Sequence, residues 1–262
     1  MLTFNSLKSL SQRALLLLLL TTSVAYAQRK KRGEVAANAD GSLPAATTAA
    51  VSNPPPAPAK PTRLQPLFGG LTPAAATQLL GARQLEAIAA SFASREEAST
   101  FFAQKGYEYL GENQADTAAY RFNLAWLLNP NNPDVYRGLG IVASNGPSPD
   151  AAIALLNKGL TLAPTNAYLL ADLGTSHLNR YAQTKKKKDL STGVELLQKA
   201  VALEPKHGVA WHQLAQGYYY QEKYAESWDA LHKGQVLDMS SINFNLITEL
   251  IAKMPDPQGM FK

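Results

Sequence analysis

No cysteine occurs in the 262 residues. No disulfide can brace the fold, no thiolate can attack a substrate or bind a metal, and no cysteine can carry a lipid. No Asn-x-Ser/Thr sequon is present, so nothing points to N-glycosylation. Histidine is scarce. His177, His207, His212 and His232 show no His-Glu-x-x-His or comparable spacing, which argues against a metal site. There is no Gly-x-Ser-x-Gly elbow. Gly138-Leu-Gly140 lies in a helical pattern and follows no strand, so helix packing explains it better than a nucleotide loop. The pair Glu96-Glu97 stands at a helix start, where the dipole favours acids. The expectation is a protein that is not an enzyme, with no catalytic residue, no cofactor and no metal.

A long apolar run is also missing. The stretch Ala14–Leu20 falls short of the roughly 20 residues that cross a bilayer, so no transmembrane span is expected. Lys8 and Arg13 before it and Ala25-Tyr26-Ala27 after it make residues 1–27 read as a secretory signal peptide. Export to a periplasmic or extracellular space follows as an expectation. Arg29-Lys-Lys-Arg32 stands directly behind the cleavage site, where positive charge hinders translocation.

The formal charge of +5 does not describe the folded part. Arg29, Lys30, Lys31, Arg32, Lys60 and Arg63, against Glu34 and Asp40, concentrate the excess in residues 28–70. The rest is close to balanced, so no nucleic-acid partner is expected. Residues 28–71 are rich in Ala, Pro, Thr and Ser and carry Pro54-Pro-Pro56. Such a segment cannot bury enough apolar surface to offset its ordering entropy, and it reads as a disordered linker.

What is present is a repeat. Gly106, Gly140 and Gly174 are spaced by 34 residues, as are Pro130 and Pro164. Ala215 follows Gly174 by 41, and Pro205 follows Pro164 by 41, so a seven-residue insertion lies between Gly174 and Pro205. Phe102, Gly106 and Tyr109 share one helical face, and Ala118, Phe122 and Ala125 form the matching stripe on a second helix. Asn129-Pro130 ends that helix. Trp211-His-Gln-Leu214-Ala215-Gln-Gly-Tyr218 restates the first half of the unit.

These residues resemble the tetratricopeptide repeat, whose pattern is Trp-x-x-Leu-Gly-x-x-Tyr, then Ala-x-x-x-Phe, then Pro. The resemblance implies an all-α fold, a right-handed α-solenoid of about four helical hairpins. The units are 99–132, 133–166, 167–207 with the insertion, and 208–241. Thr72-Pro73 and the capping box Ser94-Arg-Glu-Glu97 frame an N-terminal capping region, 72–98, whose helix is read as continuous from Pro73 to about Ser91. Ile242, Leu246, Ile247 and Leu250 mark a C-terminal capping helix in 242–262, ending in a frayed tail from Pro255.

The candidate site is the concave face. With the packing stripe of each first helix fixed, spacing turns Ala103, Tyr107 and Leu110 inward from the first unit, and Asp134, Arg137, Ile141 and Asn145 from the second. The third offers Tyr168, Thr175, Leu178 and Asn179, and the fourth His212, Gln216, Tyr219 and Tyr220. Tyrosine rings bury area and amides bond a peptide backbone, so a protein or peptide partner is the expected ligand. Some members of the resembling family grip a C-terminal carboxylate with paired Lys and Asn. Only Arg137 matches that clamp, and loosely. The insertion puts Lys185, Lys186, Lys187 and Lys188 at a hairpin tip, either as a plain solvated loop or as a contact for an acidic partner, anionic lipid or envelope polymer.

Overall fold

The computed structural model describes residues 62–262. The signal peptide and nearly all of the linker lie outside the described residues. Among the described residues there are eleven α-helices of eight residues or more, and no strand. After a capping region come four antiparallel pairs. They are α3 (Arg95–Gly111) with α4 (Ala115–Leu128), α5 (Pro133–Ser144) with α6 (Asp150–Leu162), α7 (Ala167–Thr184) with α8 (Lys187–Leu203), and α9 (Gly208–Tyr220) with α10 (Tyr224–Leu237). A 3₁₀ turn, Met239–Ser241, leads to α11 (Phe244–Lys253). Each helix packs most on its own partner, and the second helix of each of the first three pairs packs next most on the first helix of the following pair. The first helices also touch one another along the stack, and the second helices have no contact of comparable extent. The first helices therefore form the inner wall.

Local chemistry sets the helix starts. Asn132 and Asn166 cap α5 and α7, their Oδ1 atoms accepting from Asp134 N and Tyr168 N at 3.0 Å. Ser94 Oγ accepts from Glu97 N at 3.0 Å, and Glu97 reaches back to Ala93 N at 2.9 Å. Both helices of the third pair exceed their neighbours, 18 and 17 residues against 12 and 13 in the second, so the insertion lengthens this hairpin. Small residues let the pairs close up. Phe122 is 0% exposed, and its ring lies 2.6 Å from where a Cβ would stand on Gly106 and closer still to that position on Gly138.

The capping region differs from the sequence expectation in two ways. Its helix is broken into α1 (Pro73–Leu80) and α2 (Ala82–Ala89) by Gly81, whose φ of 102° no L side chain holds easily. Residues 62–71 are not linker but packed chain. Phe68 is fully buried, 6.4 Å from the Trp126 ring, and Asn123 Nδ2 donates to the Arg63 and Gln65 carbonyls at 3.0 and 2.7 Å. Phe68 sits at φ 55°, a left-handed conformation unfavourable for a bulky residue, and its burial offsets that strain.

The far end is sealed by its own tail, which is not frayed. Asp256 accepts from Gln258 N, Met260 N and Phe261 N at 2.8–3.0 Å, and its Oδ1 lies 3.0 Å from His232 Nε2. The His232, Trp228 and Phe261 rings cluster together, with centroids 5.6–6.1 Å apart. Burial works against the Asp256 carboxylate, but those N–H groups and His232 hold its pKa below the usual value. A carboxyl whose folded pKa is lowered contributes stability that is complete above its unfolded value, near 4, and lost as pH falls through the folded one. Between pH 6 and pH 3 the native protein should therefore lose more stability than Asp256→Asn does, measured by denaturant melts at each pH. Equal losses would remove Asp256 from the seal.

Candidate functional site

The inner wall carries a ladder of rings and charges contributed by four helices in succession. The Arg137 guanidinium of α5 lies 5.3 Å from the Tyr107 ring of α3 and 5.1 Å from the Tyr168 ring of α7. Its Nε donates to Asp172 Oδ2 at 2.7 Å. The Tyr168 ring then meets His207, at the start of α9, with centroids 4.6 Å apart. Tyr107 donates its hydroxyl to the Asp134 carbonyl at 2.9 Å, and its ring packs on Phe122. The ladder is thus bolted to the core at one end and open at Tyr168, which is 45% exposed.

Its groups are desolvated. Burial pushes the Tyr107 hydroxyl well above the usual tyrosine range, with Arg137 opposing. Burial also lifts the Asp172 carboxyl, again against Arg137, and it depresses the His207 imidazole. His207 Nε2 is buried without a hydrogen-bond partner among the described residues. A cation held between two rings and tied by one nitrogen to a carboxylate can still offer its other nitrogens to a carbonyl or carboxylate.

A second aromatic group lies at the other end of the same helices. Tyr181 and Tyr220 are 5.3 Å apart, Tyr219 is 6.1 Å from Tyr220, and Tyr224 is 5.9 Å from Tyr219. All four are half-buried. Burial raises the Tyr219 and Tyr220 hydroxyls, and the nearby Glu249 carboxylate of α11 adds to it. Among the described residues no group of three or more His, Asp or Glu could hold a metal ion, and no helix is long and apolar enough to cross a membrane.

The sequence-based residues divide by placement. Tyr107, Arg137 and Tyr168 come together, and Tyr219 and Tyr220 join the second group. Asn145 and Asn179 are exposed, Ile141 and Gln216 are half-buried, and Thr175 Oγ1 donates to its own helix at Ala171 O, 2.9 Å away. Gln216 Oε1 accepts from Asn243 at 3.3 Å. His212 is not on the accessible wall. Gly234 has no Cβ, the His212 ring fills the space, and its Nε2 bonds the Asp238 carbonyl at 2.9 Å, leaving the residue 5% exposed. Ala103 and Leu178 are buried too, at 3% and 2%. Lys185–Lys188 are exposed at the α7–α8 turn. Asp172 and His207 were missed. Asp172 lies four residues after Tyr168 and 35 after Arg137, so a search for opposite charges one repeat apart would have found it.

No family model and no curated protein matches the chain. Solved structures do. TTC0263, a thermophilic TPR protein of Thermus thermophilus, superposes with a TM-score of 0.50 at 14% identity, over 61% of this chain and 93% of that one. A chain of the Cut9–Hcn1 hetero-tetramer of the APC/C gives 0.50 at 20% identity, over 69% of this chain and 35% of that one. PilW, a type IV pilus biogenesis factor, gives 0.48 at 15% identity, over 71% and 86%. The paired helices described above, with the two likenesses at a TM-score of 0.50, show an all-α solenoid whose fold is like that of a tetratricopeptide-repeat protein.

Proposed function

We propose that this chain is a non-catalytic binding module whose inner wall holds an extended segment of a protein partner. The observation that carries the reading is the Arg137 guanidinium held between Tyr107 and Tyr168, with Tyr168 left 45% exposed at the open side. Rings and a fixed cation on a rigid wall suit a peptide, because they supply area and hydrogen bonding at little entropic cost. The wall is rigid because its residues sit on helices whose other faces are core. The signal-like segment at residues 1–27 supports an exported protein working in the periplasm or outside the cell, as an adaptor or scaffold.

A random-peptide display selection against the full chain tests this reading, with Tyr168→Ala as the counter-target. Tyr168 is exposed enough for the variant to fold. The proposal expects peptides that bind the native chain and are lost on the variant. Enrichment indifferent to Tyr168, or no enrichment at all, would contradict it.

A further inference from the structure

We propose a second binding site, separate from the inner wall, at the tip of the long third hairpin: a cationic pocket for a small ligand bearing phosphate groups. The pocket has a volume of about 360 Å³, near the lower end of the range for small-molecule sites. Lys186, Lys188, Ser148, Thr192, Arg180 and Asp189 are among the residues that line it.

The charge arrangement points to an anion. The two acids of the pocket are already engaged. Asp189 Oδ1 accepts from Arg180 Nη2 at 2.6 Å, Arg180 Nε at 3.0 Å and His177 Nδ1 at 2.9 Å. Asp150 Oδ1 accepts from Arg180 Nη1 at 2.8 Å, and its other oxygen lies 3.1 Å from Ser148 Oγ. Arg180 holds both carboxyls below the usual range. The network therefore fixes Arg180, and Lys186 keeps only a through-space attraction to Asp150. None of Lys185–Lys188 forms an ion pair among the described residues. Lys185 instead lies 5.5 Å over the Tyr181 ring, outside the pocket.

The lysines also stand where lysine is least welcome. Lys186, Lys187 and Lys188 open α8, a helix of 17 residues with no side-chain cap, so they face the positive end of its dipole. A bound phosphate would neutralise the ammonium groups and sit favourably at the positive end of the helix. The alternation matters as well. Lys186 and Lys188 line the pocket, and Lys185 and Lys187 do not.

That alternation supplies the test. Pyrophosphate is titrated into the full chain at low ionic strength and followed by ¹H–¹⁵N NMR, with Lys186→Gln/Lys188→Gln compared to Lys185→Gln/Lys187→Gln. The two double variants change the net charge equally. All four side chains are exposed, so both should melt with the native protein. The proposal expects saturable shifts centred on Ser148 and Lys186–Asp189. It expects about a tenfold loss of affinity in the first variant and less than about threefold in the second. Equal losses in the two, or no saturable binding, would overturn it. So would adsorption to phosphatidylglycerol vesicles without any response to pyrophosphate, which would mark a flat electrostatic surface. Tyr168→Ala should leave the titration unchanged, so this site and the inner wall fail separately.

Discussion

Phe122→Ala should cost the domain about 3–5 kcal/mol, the range for emptying a fully buried aromatic site. Phe122 is 0% exposed and fills the seam where α3, α4 and α5 meet, against two glycines that approach it only because they lack a Cβ. The gap cannot close easily. The helix backbones at Gly106 and Gly138 already sit at ring contact and are fixed by their own hydrogen-bond ladders, so a cavity remains. The damage should also be local. A stacked array is quasi-one-dimensional, and each pair depends on its neighbours alone. Native-state hydrogen exchange should show faster exchange in residues 95–144 and little change in 208–253. Uniform acceleration would mean the described residues unfold as one unit.

Trp228→Ala should have a comparable effect, about 3–5 kcal/mol, at the opposite end. Trp228 is 1% exposed, donates Nε1–H to the Met254 carbonyl at 3.1 Å, and stacks on Phe261 at 6.0 Å. Its removal takes away the surface on which the tail is seated. Exchange should rise in α10, α11 and residues 254–262 and spare α3–α5. The double variant should lose the sum of the two single costs within about 0.5 kcal/mol, because the sites share no partner. Chemical denaturation of the four proteins measures this, and strong non-additivity would contradict the array picture.

The repeat was legible because it is written in residues with narrow physical roles. Gly106, Gly140 and Gly174 mark close approaches, and Pro130 and Pro164 mark helix ends. Thr72 and Ser94 mark helix starts, and both accept the capping hydrogen bond. What escaped was long-range. An isolated glycine in a helical pattern is usually tolerated, so nothing local says that Gly81 turns to φ 102°. The tail from Pro255 looked polar and loose, yet one carboxylate, Asp256, gathers three of its N–H groups against a histidine 24 residues earlier.

The site was half legible for the same reason. Periodicity gives the face of a helix, so Tyr107, Arg137 and Tyr168 were found together. It does not give the neighbour across the groove or the vacancy a distant glycine leaves. Asp172 was therefore missed, and His212 was placed on the wall when Gly234 draws it inside. Leu178 misled similarly, because Gly193 and Gly217 leave room for its side chain within the stack.

The inner wall as a gripping surface is tested most directly by one affinity comparison. A peptide selected on the full chain is titrated against the native protein, Tyr168→Ala and Leu203→Ala, the last removing an equally exposed apolar side chain from a second-row helix. If the ladder holds the ligand, Tyr168→Ala should lose about 2 kcal/mol, roughly 30-fold in Kd, and Leu203→Ala should stay within about twofold. Equal affinities for all three proteins, or a loss confined to Leu203→Ala, would place binding elsewhere and contradict the account.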